Sequence, residues 1–181
     1  MARLTFTDNV PNSVAVAVFS GRLGALAQAH EVLVHTDWSG AELRDLIEKQ
    51  LAPHIRGNEG RIIIEGPDAV LPPELATPFA LALHELATNA IKYGALSTPE
   101  GTLSLTWRFR KDDGQLELVW REGGVVGERS NIPGFGSFLI DRGLPGASVS
   151  RVFEREGLVC TIKVKIPNRP AKPGLRPSTD R

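Results

Sequence analysis

Leu81-Ala82-Leu83-His84-Glu85-Leu86-Ala87-Thr88-Asn89-Ala90-Ile91-Lys92-Tyr93-Gly94-Ala95-Leu96 is the stretch whose reading decides the fold. Leu83, Leu86, Ala87 and Ala90 recur at steps of three and four, the spacing that lines one apolar face of a helix. The neighbouring face carries Glu85, Asn89 and Lys92, a carboxylate, an amide and an ammonium set one above the other. On an otherwise apolar helix such a row is costly to bury without a partner. A polar ligand that brings negative charge and a metal would be one. A zinc-protease helix is excluded, because the second histidine it needs would stand at position 88, which is Thr88.

Upstream, Pro72-Pro73-Glu74 opens this helix, proline being tolerated in a first turn and an acid there complementing the dipole. Before it, Arg61 to Glu65 is a β-branched run between Gly60 and Gly66-Pro67, which predicts a short strand and a turn. Ser39 followed by Glu42 reads as a capping box for a helix with Leu43, Leu46, Ile47 and Leu51 as its stripe, ended by Pro53. A longer helix reaches from the turn residues Asp8 to Ser13 as far as about Val34. Its Val18, Leu23, Leu26 and Leu33 lie among small residues suited to close helix packing, either over the core or between two chains.

Downstream, Leu103, Leu105, Trp107 and Phe109 alternate, and Leu116 to Trp120 alternates again after Asp112-Asp113-Gly114, predicting an antiparallel hairpin. Gly123 to Gly136 is a glycine-rich loop of a length that is more often functional than idle. A short helix from Phe135 to Leu144 and two strands, Ala147 to Phe153 and Leu158 to Ile166, complete the order. Paired strands with helices between them predict an α+β two-layer sandwich rather than a parallel sheet. The expected division is a helical segment over 1–56, a compact unit over 57–167, and a proline-rich and basic tail over 168–181 that reads as disordered.

Composition narrows the function classes. Twenty-one basic and 21 acidic residues cancel, so no global field points to nucleic acid or anionic membrane. The longest apolar run, Val14 to Phe19, is too short for a membrane span, and the chain reads as soluble and cytoplasmic. Cys160 is the only cysteine, which leaves no internal disulfide and no multi-cysteine zinc site. No Walker loop is present. Gly134-Phe135-Gly136 is half of a phosphate-binding glycine motif, and its place between a glycine-rich loop and a helix start is one where free N–H groups attract phosphate.

Taken together, His84-Glu85-Leu86-Ala87-Thr88-Asn89-Ala90-Ile91-Lys92-Tyr93-Gly94, Trp120-Arg121-Glu122-Gly123-Gly124 and Gly134-Phe135-Gly136-Ser137 resemble the ATP-binding domain of the HWE group of sensor histidine kinases. That group belongs to the gyrase, Hsp90, histidine kinase and MutL nucleotide-binding superfamily. The resemblance extends over about residues 17 to 167 and includes Arg22-Leu23, Ala25-Leu26-Ala27, Ala29-His30 and Trp38-Ser39-Gly40.

The resemblance implies Mg²⁺ and ATP as ligands. It implies that Asn89 holds the metal and that Glu85 polarises the nucleophile, with His84 beside it either as a second catalytic group or as a structural histidine. Lys92 and Tyr93 would face phosphates or ribose, Glu122 would accept from the adenine amino group, and Gly124 would let the backbone approach the base. Gly134, Gly136 and Ser137 would serve the triphosphate, and Thr161 would help to hold adenine. Taken singly, these residues have plainer readings: Glu85 with Lys92 as a surface ion pair, Trp120 as packing.

The family's acceptor motif, His-Arg-x-Lys-Asn, is matched at none of the four histidines, His30, His35, His54 and His84. The expectation is therefore the catalytic part of a two-component kinase acting on a histidine elsewhere, or else a nucleotide-binding module without transfer. Its expected partners are an acceptor-histidine domain or response regulator, with a second copy through the first helix as one use of that surface.

Overall fold

The computed structural model describes residues 12–55, 58, 60–110, 114–124 and 135–166. The chain's opening, most of the glycine-rich loop and the 168–181 tail lie outside these residues. In order, the elements are α1 (Asn12–His35), β1 (Ala41–Glu42), α2 (Leu43–Ile55), β2 (Ile62–Glu65), β3 (Val70–Leu71), α3 (Pro73–Tyr93), a 3₁₀ turn (Ala95–Ser97), β4 (Thr102–Phe109), β5 (Gln115–Gly123), α4 (Phe135–Arg142), β6 (Ala147–Glu154) and β7 (Gly157–Lys165).

The expected α+β two-layer sandwich is present. A five-stranded sheet in the order β2-β4-β5-β7-β6 carries α3 as its main cover. Leu103, Leu105, Leu116, Leu118, Trp120, Cys160 and Ile162 on its inner face form one buried cluster with Phe79, Leu83, Leu86 and Ala90 of α3. Each large side chain withdrawn from water here contributes roughly 2 kcal/mol. Alternate residues, such as Ser104, Thr106, Val119 and Thr161, stand on the outer face and are only partly buried. All neighbouring strands pair antiparallel except β2 and β4, which run parallel with α3 as their crossover. One βαβ unit is thus embedded in a sheet whose sequence pattern spoke only for hairpins.

The start of α2 departs from the capping box. Ser39 Oγ donates to the Thr36 carbonyl at 2.7 Å, and Glu42 lies in β1, paired with Val70 of β3. Leu43 N donates to Ala69 O at 2.9 Å, so a two-stranded pairing satisfies groups that the box would have served. Pro53 falls inside α2, which runs two residues further, to Ile55. The predicted stripe holds: Leu43, Leu46, Ile47 and Leu51 are all buried. α1 joins the same core through Ala29, Val32 and Leu33, and Gln50 of α2 donates to Gln28 Oε1 at 2.9 Å. The apolar cluster therefore continues across the expected boundary at residues 56 and 57.

Candidate functional site

The middle of α3 brings Glu85 and Asn89 together on one side, one turn apart. Pro72 caps the helix and Gly94 ends it, donating its N–H back to Ala90 O. Glu85 is buried and accepts a hydrogen bond from Arg22 Nε of α1 at 2.6 Å, the two side chains being 10% and 5% exposed. The simple alternative, a surface pair of Glu85 with Lys92, is not formed, and Lys92 is exposed. Oε2 of Glu85 takes no hydrogen bond from another described residue. Among those residues no fully buried polar side-chain atom lacks a partner, so Oε2 retains contact with solvent.

Asn89 is half-buried, and its amide makes no hydrogen bond to the described residues. A free amide oxygen one turn from an anchored carboxylate suits a hard cation that keeps its waters and bridges phosphates. No group of three or more His, Cys, Asp or Glu able to hold a metal occurs among the described residues, so the donor set fits a cation shared with a ligand rather than one caged by protein. Lys92 and Tyr93 continue the row, Tyr93 being 68% exposed.

His84 packs against α1, close enough that a Cβ on Gly21 would lie 2.9 Å from its Nε2. Burial holds its pKa below the usual imidazole value, opposed by the Glu85 charge and reinforced by Arg22 and Lys92. It is therefore neutral at neutral pH. His54 of α2 is lowered too, by burial and then by His84. Cys160, sealed in the core, has its thiol pushed up to about 12 by burial, which makes it inert.

Glu122 ends the inner stripe of β5 and is buried. Its Oε2 accepts from Ala95 N at 2.9 Å and its Oε1 from Trp120 Nε1 at 3.2 Å. The carboxylate thus braces the turn that follows α3, and any bond to a base would be additional to these. Trp120 is fully buried, as the packing reading required. Gly124 has φ +76, and a Cβ there would meet Glu100 O at 2.8 Å, so the position suits glycine alone.

Thr161 is a correction. It pairs with Val119, whereas Trp120 pairs with Cys160, and side chains alternate across a strand. Thr161 therefore stands on the outer face of the sheet, opposite Glu122 and α3, and is not part of the group. Cys160 and Leu158 face inward instead. Gly136 and Ser137 lie in the first turn of α4, a helix that packs on α3; Gly134 lies outside the described residues.

Arg22 is the residue that sequence reasoning missed as part of the site. A signal was available: it shares a helical face with Ala15, Ala25 and Ala29, all buried, and a cation on a small apolar face calls for a buried acid.

The fold is shared with solved histidine kinase domains. The histidine kinase domain of the blue-light activated histidine kinase of Erythrobacter litoralis shares the fold, with a TM-score of 0.64 over 80% of this chain and 73% of that one, at 18% identity. The longer structure of that kinase gives 0.65 over 86% of this chain and 51% of its own, also at 18% identity. By sequence the chain is a relative of the HWE histidine kinases: the family described as HWE histidine kinase matches residues 1–68. The chain is also 36% identical over 168 residues to the blue-light-activated histidine kinase of Brucella anthropi, covering 90% of this chain and 34% of that protein. The counterpart in Brucella ovis is 36% identical over 124 residues, covering 67% of this chain and 25% of that protein. The chain thus spans about a third or less of the length of these curated relatives. Among the described residues no helix is long and apolar enough to cross a membrane.

Proposed function

We propose that the chain is the ATP-binding catalytic part of a two-component sensor histidine kinase, and that it transfers the γ-phosphoryl group of Mg-ATP to a histidine outside these 181 residues. The observation that carries the reading is the pair on α3: Glu85 with one oxygen anchored and the other open, one turn from the free amide of Asn89. When bound, Mg²⁺ neutralises charge on the phosphates, and Asn89 is the residue to hold it through its amide oxygen. Glu85 orients the acceptor and takes its proton. The bond from the γ-phosphorus to the β–γ bridging oxygen breaks, a bond from phosphorus to the unprotonated ring nitrogen of the acceptor histidine forms, the proton on that histidine's other ring nitrogen passes to Glu85, and ADP leaves with the bridging oxygen.

Lys92 and Tyr93 serve phosphates or ribose from the exposed end of α3, and Gly136 and Ser137 serve the triphosphate from the start of α4, with Gly134, outside the described residues, as a further contact. Gly124 admits the base beside Glu122. His84, neutral and packed on α1, fits a structural role better than proton transfer. The partners that accompany this reading are an acceptor-histidine domain, a response regulator, and a second copy along the outer side of α1, where Val16, Leu23 and Val34 are exposed.

Incubation with γ-labelled ATP, alone and with a separately made acceptor-helix domain, tests the proposal. Label on the added domain supports a kinase acting in trans. Binding without any transfer sinks it in favour of a nucleotide-binding module, the second reading, which the lack of an acceptor motif at all four histidines keeps in view. Asn89→Ala is expected to abolish Mg-ATP binding, and unchanged affinity by calorimetry removes Asn89 from the metal site.

A further inference from the structure

We propose that Arg22 is a positioning residue for Glu85, so that α1, a helix outside the α3–sheet sandwich, completes the catalytic site. The inference rests on the kinase reading above. A glutamate on a helix has several rotamers, and a reacting carboxylate must occupy one of them. Arg22 Nε grips Oε1 at 2.6 Å, with both side chains nearly sealed, and leaves Oε2 without a hydrogen bond from another described residue and in contact with solvent. That division, one oxygen fixed and one presented, is the arrangement in which a partner orients a base without occupying it.

Stability alone gives little reason for the pair. A buried ion pair is commonly no better than well-packed apolar side chains of the same volume, because both charges must be desolvated. What it supplies is a defined orientation. The helix that carries the guanidinium is itself tied to α2, over the turns that follow Arg22. Gln50 Nε2 donates to Ala25 O at 3.4 Å and to Gln28 Oε1 at 2.9 Å, and Lys49 Nζ lies 3.2 Å from Glu31. Gly21, next to Arg22, lets α1 approach the His84 ring closely. Displacement of α1 along α3 would therefore reach the reacting carboxylate through one side chain, without touching the nucleotide contacts at Asn89.

The test uses the full chain with Mg-ATP and an acceptor-helix domain. In Arg22→Met the Kd for Mg-ATP is expected to stay within about threefold of wild type, while kcat falls by about tenfold or more with KM for ATP unchanged. Arg22→Lys, which keeps the charge but not the planar fork, is expected to recover part of the loss. In a Glu85→Gln background the residual rate is expected to be insensitive to Arg22→Met, because the two residues act as a unit. Wild-type or faster turnover in Arg22→Met overturns the proposal, the faster case marking Arg22 as a restraint. An equal further loss in the Glu85→Gln background overturns it as well, since a purely structural residue behaves that way. Should Arg22→Met fail to fold, Arg22→Lys decides: lowered kcat at unchanged Kd supports the role, and wild-type kcat removes it. A wild type that binds no Mg-ATP, or binds it without turnover, brings down the kinase reading and this one together; failure of Arg22 alone shows only with an active wild type.

Discussion

Two buried glutamates flank the second half of α3, and they are held in opposite ways. Glu85, in mid-helix, meets a cation from a distant helix, takes one charged hydrogen bond, and keeps its other oxygen in contact with solvent. Glu122, at the end of the helix, receives neutral donors on both oxygens, the Ala95 backbone N–H and the Trp120 indole. The first arrangement fixes a carboxylate and presents it; the second spends a carboxylate on holding a turn. Burial and residue type are the same in both, so the partners decide what each acid can do. Arg61 completes the brace on the far side of that turn, donating to Gly101 O at 2.7 Å, to Ala95 O at 3.2 Å and to Thr98 O. The corner after α3 is thus pinned from β5 and from the turn before β2, whereas the Glu85 face depends on α1.

The contrast is broken most severely at Glu122. Glu122→Leu leaves the Ala95 N–H and the Trp120 indole N–H buried without their acceptor, and at about 2 kcal/mol for each orphaned donor the loss is about 4 kcal/mol. A shift in the urea midpoint at unchanged slope measures it. A loss under about 1 kcal/mol would mean that water replaces the carboxylate and that the corner is not braced as described. Gly94→Ala probes the same corner more gently. A Cβ there would lie 2.3 Å from Glu122 Oε2 and 2.3 Å from Ala90 Cα. The φ of −106 is ordinary for alanine, so only the contact opposes it. The expected cost is about 2 kcal/mol, as for overpacking elsewhere, read as a fall in thermal midpoint. In the Glu122→Gly background, where the oxygen is gone, that cost should shrink; an unchanged cost would assign the clash to the helix backbone alone.

The legibility of these regions in the sequence follows the range of the forces that build them. α3 was plain, because its apolar steps, its opening prolines and Gly94 are all local signals. The β4–β5 hairpin was equally plain from alternation about Asp112-Asp113-Gly114. The pairing of β1 with β3 was not, since strands of two residues have no period to read. The parallel alignment of β2 with β4 is set by how α3 packs, not by either strand. At the site, Glu85 and Asn89 were legible as neighbours on one turn. The partner of Glu85 was not, because Arg22 stands 63 positions away. Thr161 shows the sharpest limit: a shift of one residue along a strand reverses the face, so a position matched by resemblance alone can fall on the wrong side of the sheet.

The smallest effect separates the two regions by their response to acid. Burial depresses the pKa values of His84 and His54, so the folded protein binds fewer protons than the unfolded chain once pH falls below the unfolded imidazole value of about 6.5. Protonation therefore favours unfolding. The stability that neutral His84 and His54 provide is fully present above that value, and it declines as pH falls from there toward their lowered folded values. His84→Gln should flatten the slope of unfolding free energy against pH between about 7 and 5, and it should also ease the protonation of His54, whose pKa is lowered partly by His84. Gly94→Ala, acting at the corner through packing, should lower the same curve by a constant amount and leave its slope alone. Denaturant titrations at several pH values check both. A slope unaltered by His84→Gln would mean that the α1–α3 contact opens on acidification and lets the imidazole charge in water. In that case the face carrying Glu85 would be the first part of the molecule to loosen.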